Sequence, residues 1–157
     1  MTRDEDGAIS ARGVPVKAIL DEFLTSPYLS RQPPKSIDRN DFSFKIDNAV
    51  GLEDGAATLV RCAARGVAEA RRHFPAQPAQ WVVCGGGARN PTMLKELAGL
   101  LAVPVRTATE LGWDGDAIEA QAFAFLAVRS LRGLPLTYPT TTGCPAPMTG
   151  GRLHRAA

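Results

Sequence analysis

The sequence predicts an α/β fold, and three observations lead to that prediction. Residues 81–84 form a short apolar run of strand-forming residues, and three glycines follow it at once. A second apolar run, at 103–107, comes after a stretch with leucines at helical spacing, so the two runs have the separation of a parallel β-α-β crossover. Long helical patterns flank this unit on both sides. We therefore expect one domain over residues 1–157, with helices packed on a mixed sheet.

Two helices are predicted ahead of this unit. The first is a short amphipathic helix that begins at Val16 and ends near Pro27, and a polar, proline-rich loop follows it at 30–45. The second is a long helix from Leu52, with Asp54 as the cap of its start. Its apolar stripe, which marks it as a packing helix, consists of Ala56, Leu59, Val60, Ala63, Ala64, Val67 and Phe74.

Helix signals and turns define the rest of the chain. Asn90 followed by Pro91 predicts a helix start, because asparagine caps free N–H groups and proline is preset for the first helical position. The turn-rich segment 111–116 leads to a final helix at 117–131, which is apolar on most sides and is therefore predicted to be buried. Residues 133–157 are rich in Pro, Thr and Gly, and we expect an irregular carboxyl-terminal arm there.

Composition excludes several classes of protein. The chain has 157 residues with 18 Lys and Arg against 16 Asp and Glu, and this balance gives no support to nucleic-acid binding. No window has the apolar length of a membrane span, and the first residues lack the apolar core of a secretory signal, so we expect a cytoplasmic protein without a membrane partner. Cys62, Cys84 and Cys144 are widely spaced, and we expect reduced, mostly buried thiols and no metal site.

The turn of Gly85, Gly86 and Gly87 is the first candidate site. Glycines let the backbone take φ angles that a Cβ forbids, and they leave bare backbone for a ligand to touch. The turn runs into the helix start at Asn90, where N–H donors and the helix dipole favour a phosphate or another anion. A nucleotide is thus the first ligand hypothesis, although the turn matches neither GxxxxGK[ST] nor GxGxxG.

Three charged residues are further candidates, each with two interpretations. Lys35 and Arg39 belong either to an ordinary surface linker or to a cationic group that faces an anionic ligand or a neighbouring domain. Glu119 lies among apolar residues near the start of the final helix, and buried carboxylates are costly unless they are paired. It therefore either faces the solvent edge or supports the helix N-terminus electrostatically, or else it faces a ligand.

Four motifs, in the right order, resemble one family of sugar kinases. Residues 84–91 and 112–124 are similar to the signatures of the anhydro-N-acetylmuramic acid kinase family. So are Pro33 to Ser36 with Arg39 and Phe42, and Thr142-Gly143 with Thr149 to Gly151. The resemblance extends from about Asp6 to about Leu153.

The resemblance implies a fold, an activity and a cofactor. The family belongs to the sugar kinase, Hsp70 and actin superfamily, in which two α/β domains close over ATP with Mg²⁺. Its members phosphorylate 1,6-anhydro-N-acetylmuramic acid while water opens the anhydro ring, giving N-acetylmuramic acid 6-phosphate in the recycling of cell-wall sugars. The resemblance implies that Gly85, Gly86 and Gly87, with Asn90, lie against the nucleotide, and that Glu119, Lys35 and Arg39 lie near the sugar.

The resemblance covers only the carboxyl-terminal half of such a kinase. The half with the phosphate-binding Asp-Gly hairpin and the catalytic aspartate has no counterpart here, and the Asp-Gly pairs at Asp6, Asp54 and Asp114 do not follow strands. We therefore expect no catalytic residue in this chain, little kinase activity by itself, and completion by another chain or a second copy. The alternatives are a non-catalytic nucleotide-binding or interaction module, and a truncated gene product that exposes an apolar face and self-associates.

Overall fold

A computed structural model describes residues 3–42 and 45–154, without the side chain of Arg39. The helices are α1 (Lys17–Leu24), α2 (Pro27–Ser30), α3 (Leu52–Ala70), α4 (Pro91–Leu101), α5 (Ile118–Leu131) and α6 (Pro139–Thr142), and the strands are β1 (Trp81–Val83) and β2 (Val105–Thr107). Short 3-10 turns lie at Glu5–Gly7, Ser10–Arg12, Arg39–Asp41, Arg71–His73, Gly86–Arg89 and Thr109–Leu111. Within the described ranges, no helix has both the length and the apolar character needed to cross a membrane.

The two strands form the predicted parallel β-α-β unit. Trp81 pairs with Val105 and Val83 with Thr107, and α4 makes the crossover. The prediction of a mixed sheet is wrong for the part of the chain that the structure describes, where the sheet has only these two parallel strands. An antiparallel bridge between Thr137 and Met148 lies apart from this sheet, in the carboxyl-terminal arm. The protein is thus a helix-rich α/β protein with a small sheet.

The main core lies between α3, α4 and the sheet. It consists of the buried residues Ala64, Ala68, Leu97 and Leu101, with Trp81, Val83 and Val105 packed against them. Small residues on α3 allow α4 to approach closely, and Ala64 is completely buried. A second cluster joins Phe23 of α1, Leu29 of α2 and Cys62 of α3.

The start of α3 is held in a different way from the one predicted. Gly51 occupies the cap position, and Asp54 Oδ1 instead accepts a hydrogen bond from the Val14 N–H at 2.7 Å. One turn further on, Thr58 Oγ1 accepts a hydrogen bond from the Val16 N–H at 2.9 Å. Both side chains therefore fix the segment that leads into α1 against the first two turns of α3.

The apolar stripe predicted for α3 is only partly buried. Val60 and Ala64 are buried, whereas Leu59 and Ala63 are exposed. Ala64 belongs to the main core, and Val60 lines a cavity with Lys95 and Glu96 of α4. Leu59 instead borders an open cavity beside Ile9 and Ile46. The periodicity located the helix correctly, but it could not say how much of the stripe finds a partner.

The prediction that the last long helix is buried is wrong. α5 contains no buried residue, and Phe123, Phe125 and Leu131 are 64%, 61% and 66% exposed. Its apolar composition led to the prediction, because such helices normally lie in a core. Burial also needs a second surface, and the described residues supply one for only one side of α5.

The cysteines and the carboxyl-terminal arm complete the fold. Cys62 is buried as predicted, but Cys84 is exposed and Cys144 is half-buried, so the expectation of mostly buried thiols is wrong. In the arm, the Leu136 N–H donates to the Met148 carbonyl at 2.7 Å, and the Ser130 hydroxyl of α5 donates to the Gly150 carbonyl at 2.6 Å. The arm therefore folds back onto α5.

Candidate functional site

A cavity of about 250 Å³ opens at the carboxyl ends of β1 and β2. Its lining consists of Val83, Gly85, Ala88, Arg89, Thr107, Ala108, Thr109, Gly115 and Asp116. The Ala108 N–H donates to the Val83 carbonyl at 2.9 Å, so the parallel pairing continues to the rim. Ligands of open α/β sheets bind at this edge, and the cavity is therefore the candidate site.

Gly85, Ala88 and Arg89 of the glycine turn form one wall of the cavity, whereas Gly86 and Gly87 follow Gly85 in the turn without lining the cavity. Gly85 has a φ of 71°, the left-handed conformation that glycine takes without strain, and the Ala88 N–H donates to its carbonyl at 3.0 Å. Gly86 and Gly87 do not have a positive φ, and no described atom lies within 4 Å of a Cβ built at either position. Conformation explains the glycine at 85, whereas neither conformation nor packing explains those at 86 and 87.

Asn90 caps α4, as predicted. Its Oδ1 accepts a hydrogen bond from the Met93 N–H at 2.9 Å, and Pro91 is the first helical residue. Next to it, the Thr92 hydroxyl donates to the Gly7 carbonyl at 3.0 Å. Asn90 does not line the cavity, so the structure places it behind the glycine turn as a residue that holds the turn to α4.

The turn before α5 forms the opposite wall. The Gly85 N–H points to the Gly115 carbonyl at 3.4 Å, and the Arg89 guanidinium forms an ion pair with the Asp116 carboxylate. The ion pair joins the two turns across the cavity mouth. Because both partners are about two-thirds exposed, it contributes little stability, and its charges remain accessible to a ligand.

Sequence reasoning missed Arg89 and Asp116. Each lies inside a motif that the sequence analysis singled out, and the charges are opposite. Their opposite charges were the available signal. To pair the two residues, however, one must know that the two turns meet at the carboxyl edge of the sheet.

Glu119 lies in the first turn of α5, three residues after Asp116. It is exposed and does not line the cavity. This exposure agrees with a carboxylate at the solvent edge, and the ligand-facing role of Glu119 stays a prediction. In the turn before this helix, Asp114 Oδ1 accepts hydrogen bonds from the Asp116 and Ala117 N–H groups, each at 3.2 Å.

Lys35 lies elsewhere and is held by the fold. Its ammonium group donates to the carbonyls of Tyr28 and Leu29 at 2.8 and 3.1 Å, contacts His73 Nε2 at 3.1 Å, and lies over the Tyr28 ring at 4.7 Å. Burial of this ammonium group, with the nearby charge of Arg31, lowers the pKa of Lys35 below its usual range. Lys35 therefore ties the proline-rich loop to α2 and to the end of α3, and it does not line the cavity.

The other candidate of this loop, Arg39, begins the 3-10 turn Arg39–Asp41, and its side chain lies outside the described part of the structure. The loop itself meets the carboxyl-terminal arm. A Cβ built on Gly143 would lie 3.3 Å from Pro34 Cγ, so these two segments are in close contact. The structure thus joins the four motifs in two pairs: the glycine turn with the 112–116 turn, and the proline-rich loop with the 142–143 turn.

The described residues contain no group of three or more His, Cys, Asp and Glu side chains placed to hold a metal ion.

Comparison with known proteins extends these observations. The parallel β-α-β unit, with a cavity between two turns at its carboxyl edge, makes this an α/β protein. The family model described as anhydro-N-acetylmuramic acid kinase matches residues 1–156, and the chain belongs to that family.

Curated relatives agree with this assignment. The chain is 51% identical to an anhydro-N-acetylmuramic acid kinase of Methylorubrum populi over 148 residues, and 51% identical to one of Rhodospirillum rubrum over 154 residues. These alignments cover 94% and 98% of this chain but 39% and 41% of the relatives. An anhydro-N-acetylmuramic acid kinase of Caulobacter vibrioides is 47% identical, and the alignment covers 96% of this chain and 40% of that relative. The chain thus spans about two-fifths of the length of the curated relatives that it matches.

Proposed function

We propose that this chain is the carboxyl-terminal part of an ATP-dependent anhydro-N-acetylmuramic acid kinase, and that the cavity at the carboxyl edge of the sheet receives part of the nucleotide. The supporting facts are membership of the family, the position of the cavity and the two turns that border it. In the proposed fold, these residues belong to the second of two lobes that close over ATP, as in the actin and sugar-kinase superfamily.

The observation that carries the proposal is the open backbone at Gly86 and Gly87. A side chain at either position would meet nothing in the described chain, so their bare backbone is free for a ligand to approach. Gly85, which has a positive φ, directs the turn toward the cavity. In the proposal these three glycines touch the nucleotide, and Asn90 positions them by capping α4.

The size of the cavity supports partial rather than complete binding. Sites for whole small-molecule ligands have volumes of roughly 300–1,000 Å³, and about 250 Å³ is available here. The cavity suits the nucleoside side of ATP. The phosphates and Mg²⁺ would then be held mainly by the other lobe.

This division also assigns the chemistry. Phosphoryl transfer needs a metal ion, in-line positioning and a base that orients the attacking oxygen. The proposal places the base in the amino-terminal half of the kinase and gives this chain no catalytic residue. It places Glu119 and Arg39 near the sugar, and Lys35 acts there by holding the proline-rich loop in position.

The test is a titration of the isotope-labelled chain with ATP and magnesium. The readout is the change in its backbone amide chemical shifts, measured by NMR. We expect weak binding, with changes at Gly85, Gly86 and Gly87 and at Thr107. Gly86→Gln should weaken binding roughly tenfold, about 1.4 kcal/mol, because the added side chain occupies the path of the nucleotide.

Gly99→Gln is the matched control. Gly99 is an exposed glycine of α4 with no described atom within 4 Å of a built Cβ, so this variant should bind like the wild-type chain. Equal titrations for all three proteins, or shift changes confined to other segments, would contradict the proposal.

A further inference from the structure

The exposed side of α5 has a regular apolar pattern that the proposed nucleotide site does not use. Six exposed residues recur at helical spacing and form one continuous face: Ala120, Phe123, Ala124, Ala127, Val128 and Leu131. We call this the α5 face. It contains no charged residue, and apolar patches of this kind on a protein surface mark interaction sites.

In its second half, α5 packs on the carboxyl-terminal arm through its other side, whereas residues 119–125 are exposed on every side. Leu126, Arg129 and Ser130 are half-buried there. Arg129 Nε donates to the Pro135 carbonyl at 2.6 Å, and the Ser130 hydroxyl donates to the Gly150 carbonyl at 2.6 Å. The arm therefore fixes the rotation of α5 and directs the α5 face outward.

We propose that the α5 face docks against the part of the kinase that this chain does not represent, and that the contact resembles a protein core. This inference rests on the proposed function for the identity of the occupant. Aromatic and aliphatic side chains without charges are typical of the centre of an obligate interface, which resembles a core divided in two.

Two observations favour this occupant over a second copy of the chain. The chain covers 39% and 41% of two relatives, so more than half of the length of each relative has no counterpart here. The sheet has two parallel strands, and parallel sheets normally belong to larger sheets that are covered on both faces. Among the described residues, the sheet has no further strand and the α5 face has no partner, and the unmatched part of the relatives could supply both.

The experiment co-expresses the tagged full chain with the segment of the Rhodospirillum rubrum kinase that lies outside the 154 matched residues. The readouts are capture of that segment on the tag and the mass of the complex. We expect a one-to-one complex with the wild-type chain. Phe123→Asp combined with Leu131→Asp should reduce capture at least tenfold, because two charges would enter the contact.

Val14→Asp is the control, since Val14 is 71% exposed but precedes α1. It should capture the segment as well as the wild-type chain does. Circular dichroism and thermal melting of the α5 variant alone should match those of the wild-type chain, because the substituted side chains are exposed.

Three results would overturn the inference. The first is that the wild-type chain does not capture the segment, and the second is that the α5 variant captures it as well as the wild-type chain does. The third is that the wild-type chain forms a homodimer that the α5 substitutions dissociate. The proposed function is tested separately, by kinase activity of the complex. An inert complex that depends on the α5 face refutes the function alone, and an active complex that ignores the α5 substitutions refutes this inference alone.

Discussion

In our proposal, Gly86 and Gly87 leave bare backbone for a ligand. Glycine lowers stability through its backbone entropy, so an unexplained glycine next to a cavity suggests that something else needs the space. Here the backbone conformation accounts for Gly85 only, and the space beside the other two is open. The sequence predicted the turn, but only the structure separates the glycine that shapes the turn from the two that leave it accessible.

Arg89, Asp116 and Lys35 show where residue-level prediction stops. Arg89 and Asp116 form an ion pair although they are 27 residues apart in the sequence, and no local pattern connects them. Lys35 was singled out by its charge, yet its ammonium group is engaged by two backbone carbonyls and by His73. Charge and motif predict that a residue matters, whereas its role depends on neighbours that are distant in sequence.

The three thiols should react at very different rates. Burial raises the pKa of the Cys62 thiol to about 11, so little of the reactive thiolate exists at neutral pH, whereas Cys84 is exposed beside the glycine turn. With iodoacetamide at neutral pH, peptide mass spectrometry should find Cys84 modified first and Cys62 only after denaturation. Cys84→Ser should remove the fast reaction. Modification of Cys62 in the native chain as fast as that of Cys84 would contradict the burial of this thiol.

At the level of elements, the packing of α3 on α4 depends on alanines. Ala64 is completely buried in the main core, and its neighbour Ala63 is exposed. Ala64→Leu should therefore lower the free energy of unfolding by about 1–3 kcal/mol, because added methylene groups cannot be accommodated in a packed contact. Ala63→Leu is the control and should change it by less than about 0.5 kcal/mol.

Urea unfolding followed by circular dichroism measures both variants. If Ala63→Leu proves the more destabilising of the two, the orientation of α3 described here is incorrect.

The elements also show what periodicity can predict. The local signals of Asn90 and Pro91 located the start of α4, and apolar runs located both strands, because caps and strand propensity act within a few residues. The burial of α5 and the mixed sheet were predicted wrongly. Both features depend on packing partners that are distant in the sequence. The composition of a helix does not reveal whether such a partner is present.

At the scale of the whole molecule, the two pairs of motifs and the exposed helix α5 support one interpretation of the chain. The glycine turn meets the 112–116 turn at the cavity, and the proline-rich loop meets the 142–143 turn. The chain belongs to the anhydro-N-acetylmuramic acid kinase family and spans about two-fifths of the matched relatives. The account is that this chain contributes one wall of a kinase site and that a second part contributes the chemistry.

The most direct test of that account is turnover of 1,6-anhydro-N-acetylmuramic acid with ATP and magnesium. The assay compares the chain alone with the chain co-expressed with the unmatched segment of the Rhodospirillum rubrum kinase. The account predicts no measurable N-acetylmuramic acid 6-phosphate from the chain alone and clear formation from the complex, with Gly86→Gln lowering the rate and Gly99→Gln leaving it unchanged. Turnover by the chain alone at a rate comparable to that of a complete sugar kinase would contradict it.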